Sequence, residues 1–351
     1  MTSVKIIEQT KYRNRDVFVY ELKRENGLSA IITNYGCILM SLNVPCNDGS
    51  TRDVVLGFDN VEDYWEEKYL SDYPYFGAII GRYANRIKKG EFEIGNETIS
   101  LSKNKSGDTL HGGFEGFDKK VWEVVEVNES SECSISLKYI SEDGEEGFTG
   151  KLTTIICFSL LPEGLKYTIE ATTDRTTAIN LSHHSYFNLD ELQTQPKEQL
   201  IRIHSDYWLE QDAAFCVTGK QVPMEGGLFD FKEWKPVQQS WNIADGYDQS
   251  FVLSNNISMS KPGAEAKSSD GLLYMSVYTT EPVIHFYTGK WIPTITGKGG
   301  KQYEPFSGYC FETHGFPNAV NVPDFPSTLL QPGENYTQSI QYIFECLTKR
   351  R

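Results

Sequence analysis

The residues in this chain best suited to acid–base chemistry are a glutamate and two adjacent histidines. Glu312 lies in the apolar, strand-like segment YCFETHGFP, and His183 and His184 stand side by side in NLSHHSYFNL. Burial disfavours a charged carboxyl group, so Glu312 is expected either to be paired or to have a raised pKa, as suits a general base. The alternative is a buried salt bridge, for which Arg86 is the candidate partner.

The adjacent histidines are expected to point in opposite directions. Neighbouring side chains of a strand face opposite sides of the sheet, so only one of His183 and His184 can enter a site unless a bulge intervenes. The other is expected to be a hydrogen-bonded core residue. The same geometry prevents the pair from chelating one ion, so no metal site is predicted. A further histidine, His204 in LIRIHSDYW, is interpreted as structural.

His111 lies on a glycine-rich segment, DTLHGGFEGFD. Glycines allow the backbone to turn tightly and to approach a ligand closely. Because functional groups are often presented on loops, His111 is a candidate for function. The alternative is an ordinary surface histidine.

Two polar segments supply groups that can hold hydroxyls. GRYANRIKKGEF contains Asn85 and Arg86, and the guanidinium offers a fixed fork of donors, although a structural ion pair is the alternative. In GYDQSFVL, Asp248 stands where a turn enters a strand, and an Asx-turn is its alternative role. Glutamate plus histidine is an acid–base pair, so the predicted chemistry is proton transfer to and from oxygen atoms.

The elements that must position these groups are predicted to be strands, because alternating or β-branched and aromatic segments run nearly end to end. The clearest pattern is a hairpin over residues 157–171. Helical periodicity is nearly absent; a short helix is expected over residues 61–70, and a long surface loop over residues 254–267. The strand segments are RDVFVYEL, LSAIITNYG, EFEIGNETISL, ECSISLKYI, KLTTIICFSL, GLKYTIEATT, LLYMSVYTT and VIHFYTG.

The strand pattern predicts an all-β fold, a large antiparallel β-sandwich with residues 1–351 as a single domain. The 20 Tyr, 19 Phe and 6 Trp fit pleated surfaces and also suit a sugar ring as ligand. The net charge of −15, with no basic run beyond the last three residues, argues against nucleic acid or anionic membrane as partners. Seven dispersed cysteines and the lack of a signal peptide or membrane span predict a cytoplasmic location.

Taken together, these segments resemble the aldose 1-epimerase family, the galactose mutarotases. The resemblance implies a β-sandwich with the sugar in an open cleft. It implies interconversion of the α and β anomers of a free aldose by ring opening and reclosure, without a cofactor. The matching segments cover nearly the whole chain in order: NYGCILMSLNVP, DVVLGFDNVEDY, GRYANRIKKGEF, LHGGFEGFDKKVWEV, NLSHHSYFNL, GYDQSFVL, VYTTEPVIHFYTG and YCFETHGFPNAVNVPDFPSTLLQPGENY.

The resemblance also implies a role for each candidate residue. Glu312 matches the general base that takes the proton from the C1 hydroxyl, and His184 matches the general acid that protonates the ring oxygen. His111 matches a second active-site histidine. The positions that match residues holding the sugar hydroxyls are Asn85, Arg86 and Asp248.

Three positions depart from the family pattern. Histidines stand at His183, where the family usually has Asn, and at His285 and His314, where it usually has Gln. His285 matches a substrate-contact position, where an imidazole has different reach and pH dependence from an amide.

Galactose and glucose are the expected substrates, and the oligomeric state stays open. One alternative is a relative redirected to another sugar or isomerisation. A second is a sugar-binding regulator without turnover. A third is a phosphosugar epimerase that would use the cations Arg86, Lys88 and Lys89.

Overall fold

The computed structural model describes residues 2–130, 133–190, 195–240 and 246–347. Within these ranges the chain forms thirty strands and short helices. The strands are β1 (Ser3–Tyr12), β2 (Arg15–Lys23), β3 (Ser29–Thr33), β4 (Leu39–Pro45), β5 (Thr51–Asp53), β6 (Ile79–Ile80), β7 (Arg86–Ile87), β8 (Glu91–Ile94), β9 (Glu97–Ser100), β10 (Thr109–Leu110), β11 (Glu123–Asn128), β12 (Ser134–Ser141), β13 (Leu152–Leu161), β14 (Gly164–Thr173), β15 (Thr177–Ala178), β16 (Ser182–His183), β17 (Tyr186–Phe187), β18 (Leu200–Ile203), β19 (Ser205–Gln211), β20 (Val217–Pro223), β21 (Lys235–Pro236), β22 (Asp248–Leu253), β23 (Ala264–Lys267), β24 (Leu273–Thr279), β25 (Val283–Tyr287), β26 (Ile295–Thr296), β27 (Gln302–Tyr303), β28 (Tyr309–His314), β29 (Leu329–Leu330) and β30 (Tyr336–Cys346). The helices are α1 (Glu67–Leu70) and the 3-10 helices Val61–Trp65, Lys88–Gly90, Phe117–Lys119, Glu145–Gly147, Val237–Ser240, Lys298–Gly300 and Ala319–Asn321.

Three antiparallel sheets contain most of the longer strands. The first has five strands in the order β1-β2-β3-β4-β5, and the second has nine in the order β11-β12-β13-β14-β30-β24-β23-β18-β21. The third has six strands in the order β17-β28-β25-β22-β19-β20. Apart from the consecutive strands β19 and β20, the neighbours in this third sheet are separated in the chain, so it brings distant segments side by side.

The main core lies between the nine-stranded sheet and the other two sheets. Buried and half-buried residues alternate along β13, so one face of that strand enters the core, and β13 and β14 pair as the hairpin predicted over residues 157–171. Phe158 of β13 joins Phe286 and Phe311 of the six-stranded sheet in one apolar cluster. Each such side chain contributes about 1.5–3 kcal/mol when fully buried. The predicted antiparallel β-sandwich is therefore confirmed.

The six-stranded sheet is buried on both faces at β25 and β28. Phe286 and Phe311 point into the main core, whereas the alternating neighbours His285 and Glu312 line a cleft on the opposite face. Because side chains alternate along a strand, the same two strands pack the core and present polar groups to the cleft.

The prediction of a surface loop over residues 254–267 is wrong at the C-terminal end of that range. Residues 264–267 form β23, which pairs with β18 and β24 inside the nine-stranded sheet. Ala264 and Ala266 are fully buried there. Their small side chains carry little apolar signal in the sequence, so the polar neighbours dominated the pattern.

Two other segments are divided into shorter elements than the sequence predicts. EFEIGNETISL forms the hairpin β8–β9 instead of one strand, with Gly95 in the turn at φ +61°. The helix expected over residues 61–70 splits into a 3-10 helix and α1, because Glu66 between them is extended. Among the described residues, no helix has the length and apolar character needed to cross a membrane.

Candidate active site

The six-stranded sheet places three of the predicted site residues next to one another. Glu312 lies on β28 and His285 faces it on β25, since the two residues are partners in the strand register. Asp248 is the first residue of β22, which pairs with β25 on its other side. Strand pairing alone therefore aligns two carboxyl groups and an imidazole on the cleft face.

His184 lies in the connection between β16 and β17. Its backbone is held by hydrogen bonds to Ala78 and Gly77. Its ring enters the cleft, with Nε2 3.4 Å from Glu312 Oε1 and Nδ1 3.4 Å from the Sγ of Cys310.

His183 points the other way, as predicted. Its ring packs on Phe158 and Tyr167 in the core. Its two nitrogens lie 3.3 Å from the carbonyl oxygen of Cys37 and 2.9 Å from the hydroxyl of Ser185. Burial lowers the pKa of His183 to about 4, so this ring is neutral and structural.

His111 and Asn85 hold each other in place through the backbone. The His111 N–H donates to the Asn85 carbonyl at 3.0 Å, and the Asn85 N–H donates to the His111 Nδ1 at 3.2 Å. His111 is buried, so it is not an ordinary surface histidine. Because Nδ1 is the acceptor, the ring proton of neutral His111 lies on Nε2.

His111, His184 and Glu312 form a group whose nearest polar atoms all lie within 4.8 Å of one another. This donor set could be considered for a metal ion, but the Asn85 N–H occupies the lone pair on the His111 Nδ1 and leaves a proton on Nε2. His111 therefore has no lone pair to offer a metal in this arrangement. The group suits hydrogen bonding to a hydroxylated ligand better.

All seven predicted site residues line one open cleft with an empty volume of about 600 Å³. Aromatic side chains complete the walls, and Tyr75 stacks on His184 with the ring centroids 5.7 Å apart. The predicted residues are Asn85, Arg86, His111, His184, Asp248, His285 and Glu312; the aromatic ones are Tyr73, Tyr75, Tyr186, Tyr287 and Trp291.

Two buried polar atoms in the cleft have no hydrogen-bond partner among the described residues, Glu312 Oε2 and Arg86 Nε. No ion pair joins these two described side chains, so the Arg86–Glu312 salt bridge considered from the sequence is absent. The guanidinium of Arg86 instead lies over the ring of Phe215 at 5.5 Å. Buried polar groups are normally paired, so an open acceptor and an open donor are suited to ligand hydroxyls.

The electrostatics favour the form of the Glu312–His184 pair in which neither side chain is charged. Burial raises the pKa of Glu312 to about 7, partly opposed by the positive charges of His285 and Arg86. Burial lowers the pKa of His184 to about 3. A proton held by this pair therefore lies on Glu312, and Glu312 is a base of nearly neutral strength.

Asp248 is tied to His285 instead of forming an Asx-turn. The His285 Nε2–H donates to Asp248 Oδ1 at 2.9 Å, and the His285 Nδ1 lies 2.9 Å from the Ser250 hydroxyl. Burial would raise the pKa of Asp248, but the hydrogen bond and charge of His285 hold it below its ordinary value.

Comparison with known proteins places the chain among sugar epimerases. A family profile described as aldose 1-epimerase matches residues 19–343. The galactose mutarotase of Mus musculus is 37% identical over 92% of each chain. The aldose 1-epimerase of Escherichia coli strain K12 is 31% identical over 92% of this chain and 94% of its own.

The chain belongs to the aldose 1-epimerase family.

A solved structure supports the same assignment. The galactose 1-epimerase from Lactobacillus acidophilus superposes with a TM-score of 0.86 at 25% identity, covering 99% of this chain and 100% of that chain. The family resemblance drawn from short motifs is thus confirmed over nearly the whole chain.

The third histidine that departs from the family pattern, His314, lies behind the cleft. Its ring stacks on His285 with the centroids 6.3 Å apart, and its Nδ1–H donates to the Gly315 carbonyl at 2.6 Å. Burial lowers the pKa of His314 to about 3, so it is neutral.

The two lysines considered for phosphate binding do not line the cleft. Lys88 forms an ion pair with Asp212 at 2.8 Å, and Lys89 lies beside it in a 3-10 helix. Arg86 is therefore the remaining cation of that trio in the cleft.

Several contacts were missed from the sequence. Cys310 and Ser250 each lie two residues from a predicted site residue on the same strand, so strand alternation could have placed them on the cleft face. Tyr75, whose φ is 61°, lines the cleft but belongs to none of the motifs recognised in the sequence. No sequence signal pointed to it beyond its aromatic character.

Proposed function

We propose that this chain is an aldose 1-epimerase that interconverts the α and β anomers of a free hexose, D-galactose or D-glucose. The observation that carries the proposal is the pair formed by Glu312 and His184. Their Oε1 and Nε2 atoms lie 3.4 Å apart in a cleft suited to a hydroxylated ring, and the other carboxyl oxygen of Glu312 is open.

In the proposed reaction, ionised Glu312 takes the proton from the C1 hydroxyl while protonated His184 gives its Nε2 proton to the ring oxygen. The bond from C1 to the ring oxygen breaks and C1 becomes a carbonyl carbon. Rotation about the C1–C2 bond presents the other face, and the two proton transfers then run in reverse. The hydroxyl oxygen and the ring oxygen are both bonded to C1, so the neighbouring side chains of Glu312 and His184 can reach both of them.

The working form has one proton on His184 and a negative charge on Glu312. This working form differs from the uncharged form of the pair, in which the proton lies on Glu312, only by the position of that one proton. Each positioned acid or base contributes about 10²–10⁴ to the rate. The pKa of Glu312, about 7, makes it strong enough to accept a hydroxyl proton in a concerted step and weak enough to release it.

The remaining cleft residues are proposed to hold the ring. Arg86, with its open Nε donor, and Asn85 bind hydroxyls, and Asp248 accepts from another. His111 presents its Nε2–H to the same region, where it orients the C1 hydroxyl or stabilises its developing charge. His285 is proposed to contact the substrate beside Asp248.

The chain is also proposed to form one cytoplasmic domain over residues 1–351. The main apolar cluster draws residues from the five-, six- and nine-stranded sheets, as expected of a single core. The seven cysteines are all free, which suits a reducing compartment.

Polarimetry of freshly dissolved α-D-galactose and α-D-glucose tests the function. The protein should accelerate the approach to the anomeric equilibrium, and Glu312→Gln should lose that acceleration while calorimetry still detects sugar binding. The rate is expected to fall as pH rises through about 7, because the pair then loses the one proton that its working form carries on His184.

The same experiment can overturn the proposal. An unchanged rate in Glu312→Gln would refute its role as base. No acceleration of either sugar would favour a family member redirected to another substrate, and binding without turnover of any sugar in a panel would favour a regulator.

A further inference from the structure

His285 is held on both sides of its ring by strand neighbours. Its Nε2–H donates to Asp248 Oδ1 and its Nδ1 lies beside the Ser250 Oγ, each at 2.9 Å. The amide nitrogen of Asn85 is farther from Nδ1, at 3.5 Å. Both ring nitrogens therefore have oxygen partners that can accept hydrogen bonds, which is the arrangement that suits an imidazolium.

The charges around His285 favour the protonated ring. Burial would lower its pKa, but the hydrogen bond and charge of Asp248, assisted by Glu312, outweigh burial and raise it above the ordinary 6.5; Arg86 opposes them. Burial lowers the pKa of the neighbouring histidines, His111 and His184 in the cleft and His314 behind it. Among these histidines, His285 is thus the one whose surroundings favour a positive charge.

The position of His285 gives this charge a specific target. His285 and Glu312 are direct partners across β25 and β28 and line the same cleft. Opposite side chains of an antiparallel pair are separated by only about 4.5–5.5 Å at Cβ. A cation at that distance in a buried site stabilises the ionised carboxylate, which is the form that Glu312 needs as a base.

We propose that His285 is a cationic positioning residue that, held by Asp248 and Ser250, keeps Glu312 ionised at lower pH than a neutral side chain at this position would. The inference rests on the proposed function, because it assigns His285 a role in the same reaction. Asp248 then has two tasks, holding the imidazolium through one oxygen and meeting the sugar from the edge of the cleft. The net effect is an alkaline limit of activity that lies at lower pH than a neutral side chain at position 285 would give.

The matched test compares the pH dependence of catalysed mutarotation in the wild type, His285→Gln and His314→Gln. Gln is close to histidine in reach and can hydrogen-bond but carries no charge. In His285→Gln the alkaline limb of kcat/KM, where the pair loses its one proton, should move to higher pH by on the order of one pH unit. Ser250→Ala, which removes the oxygen at Nδ1, should move it less in the same direction.

His314→Gln is the control, because it changes a neutral ring that stacks on His285 without touching Glu312. Its alkaline limb should stay at the wild-type position. An alkaline limb that does not move in His285→Gln, or that moves equally in the control, overturns the inference. Absence of any catalysed mutarotation in the wild type would instead overturn the proposed function.

An experiment without sugar tests the charge of His285 separately from the proposed enzymatic function. NMR titration of the six histidine imidazoles in the free protein reports the protonation of each ring directly. The signal that is lost in His285→Gln, or that changes in Ser250→Ala, is assigned to His285. The His285 signal should titrate above the ordinary value, and a signal that titrates below it would refute the imidazolium whatever the activity. The titration measures the wild-type ring, and Ser250→Ala supplies the assignment if His285→Gln fails to fold.

Discussion

Replacing Glu312 with glutamine is expected to abolish catalysis and to stabilise the fold at alkaline pH. Glu312 is 1% exposed, and burial raises its pKa to about 7 from an ordinary 4.5. The folded protein therefore binds this proton more tightly than the unfolded chain. As pH rises from the lower to the higher of these values, the unfolded chain gives up this proton while the folded state still holds it, so the associated stability is lost.

The size of the effect follows from the two pKa values. Their difference corresponds to about 3 kcal/mol of unfolding free energy, at ~1.4 kcal/mol for each tenfold change in proton affinity. Glutamine has nearly the same shape and stays neutral at every pH. Glu312→Gln should therefore be about 3 kcal/mol more stable than the wild type at about pH 8, and most of that difference should disappear by about pH 5.

Urea unfolding followed by tryptophan fluorescence at both pH values measures the difference. Glu281, in the turn before β25, is the control because burial raises its pKa to about 7 as well and it lies outside the cleft. Since this side chain is only half-buried, Glu281→Gln should show a smaller pH-dependent stabilisation of the same sign and keep its turnover. A stability difference that is independent of pH, or a Glu312→Gln variant that is less stable than the wild type at alkaline pH, would refute the reasoning.

Three further substitutions test other parts of the site. His184→Gln should lower the mutarotation rate by about 10²–10⁴ in polarimetry with sugar binding retained, and a smaller loss would contradict its role as acid. Gly112 has φ +90°, and a Cβ there would overlap the Gly81 carbonyl. Gly112→Ala should therefore displace His111 and destabilise the fold by about 1–3 kcal/mol in chemical denaturation. A variant with the wild-type rate and stability would argue against this packing. Arg82 is buried and donates to several backbone carbonyls of neighbouring loops, so Arg82→Met should cost about 3 kcal/mol or more, and a neutral effect would show that those carbonyls find other partners.

Local pattern was sufficient for most of the fold and for the choice of candidate residues. Alternation predicted the β13–β14 hairpin because each strand has one buried face, and that signal is present in the residues themselves. It failed at Ala264 and Ala266, where small side chains are buried by pairing with strands from elsewhere in the chain.

The candidate site was predictable as a set of residues but not as a network. Glu312 stood out as an acid among apolar neighbours, and alternation implied that His183 and His184 diverge. Nothing local indicated that His285 would be tied to Asp248, because the bond depends on how β22 and β25 pair.

The sequence by itself determined the strand-rich architecture, the family and the residues capable of acid–base chemistry, since these depend on side-chain type, alternation and motif order. Only the tertiary structure decided which groups meet and which carry charge. His184, which lies beside Glu312, comes from a segment more than a hundred residues away. The pKa of Glu312 depends on burial and on the charge at His285. Burial and charge pairing are properties of the assembled fold, so the working form of the site cannot be deduced from any one segment.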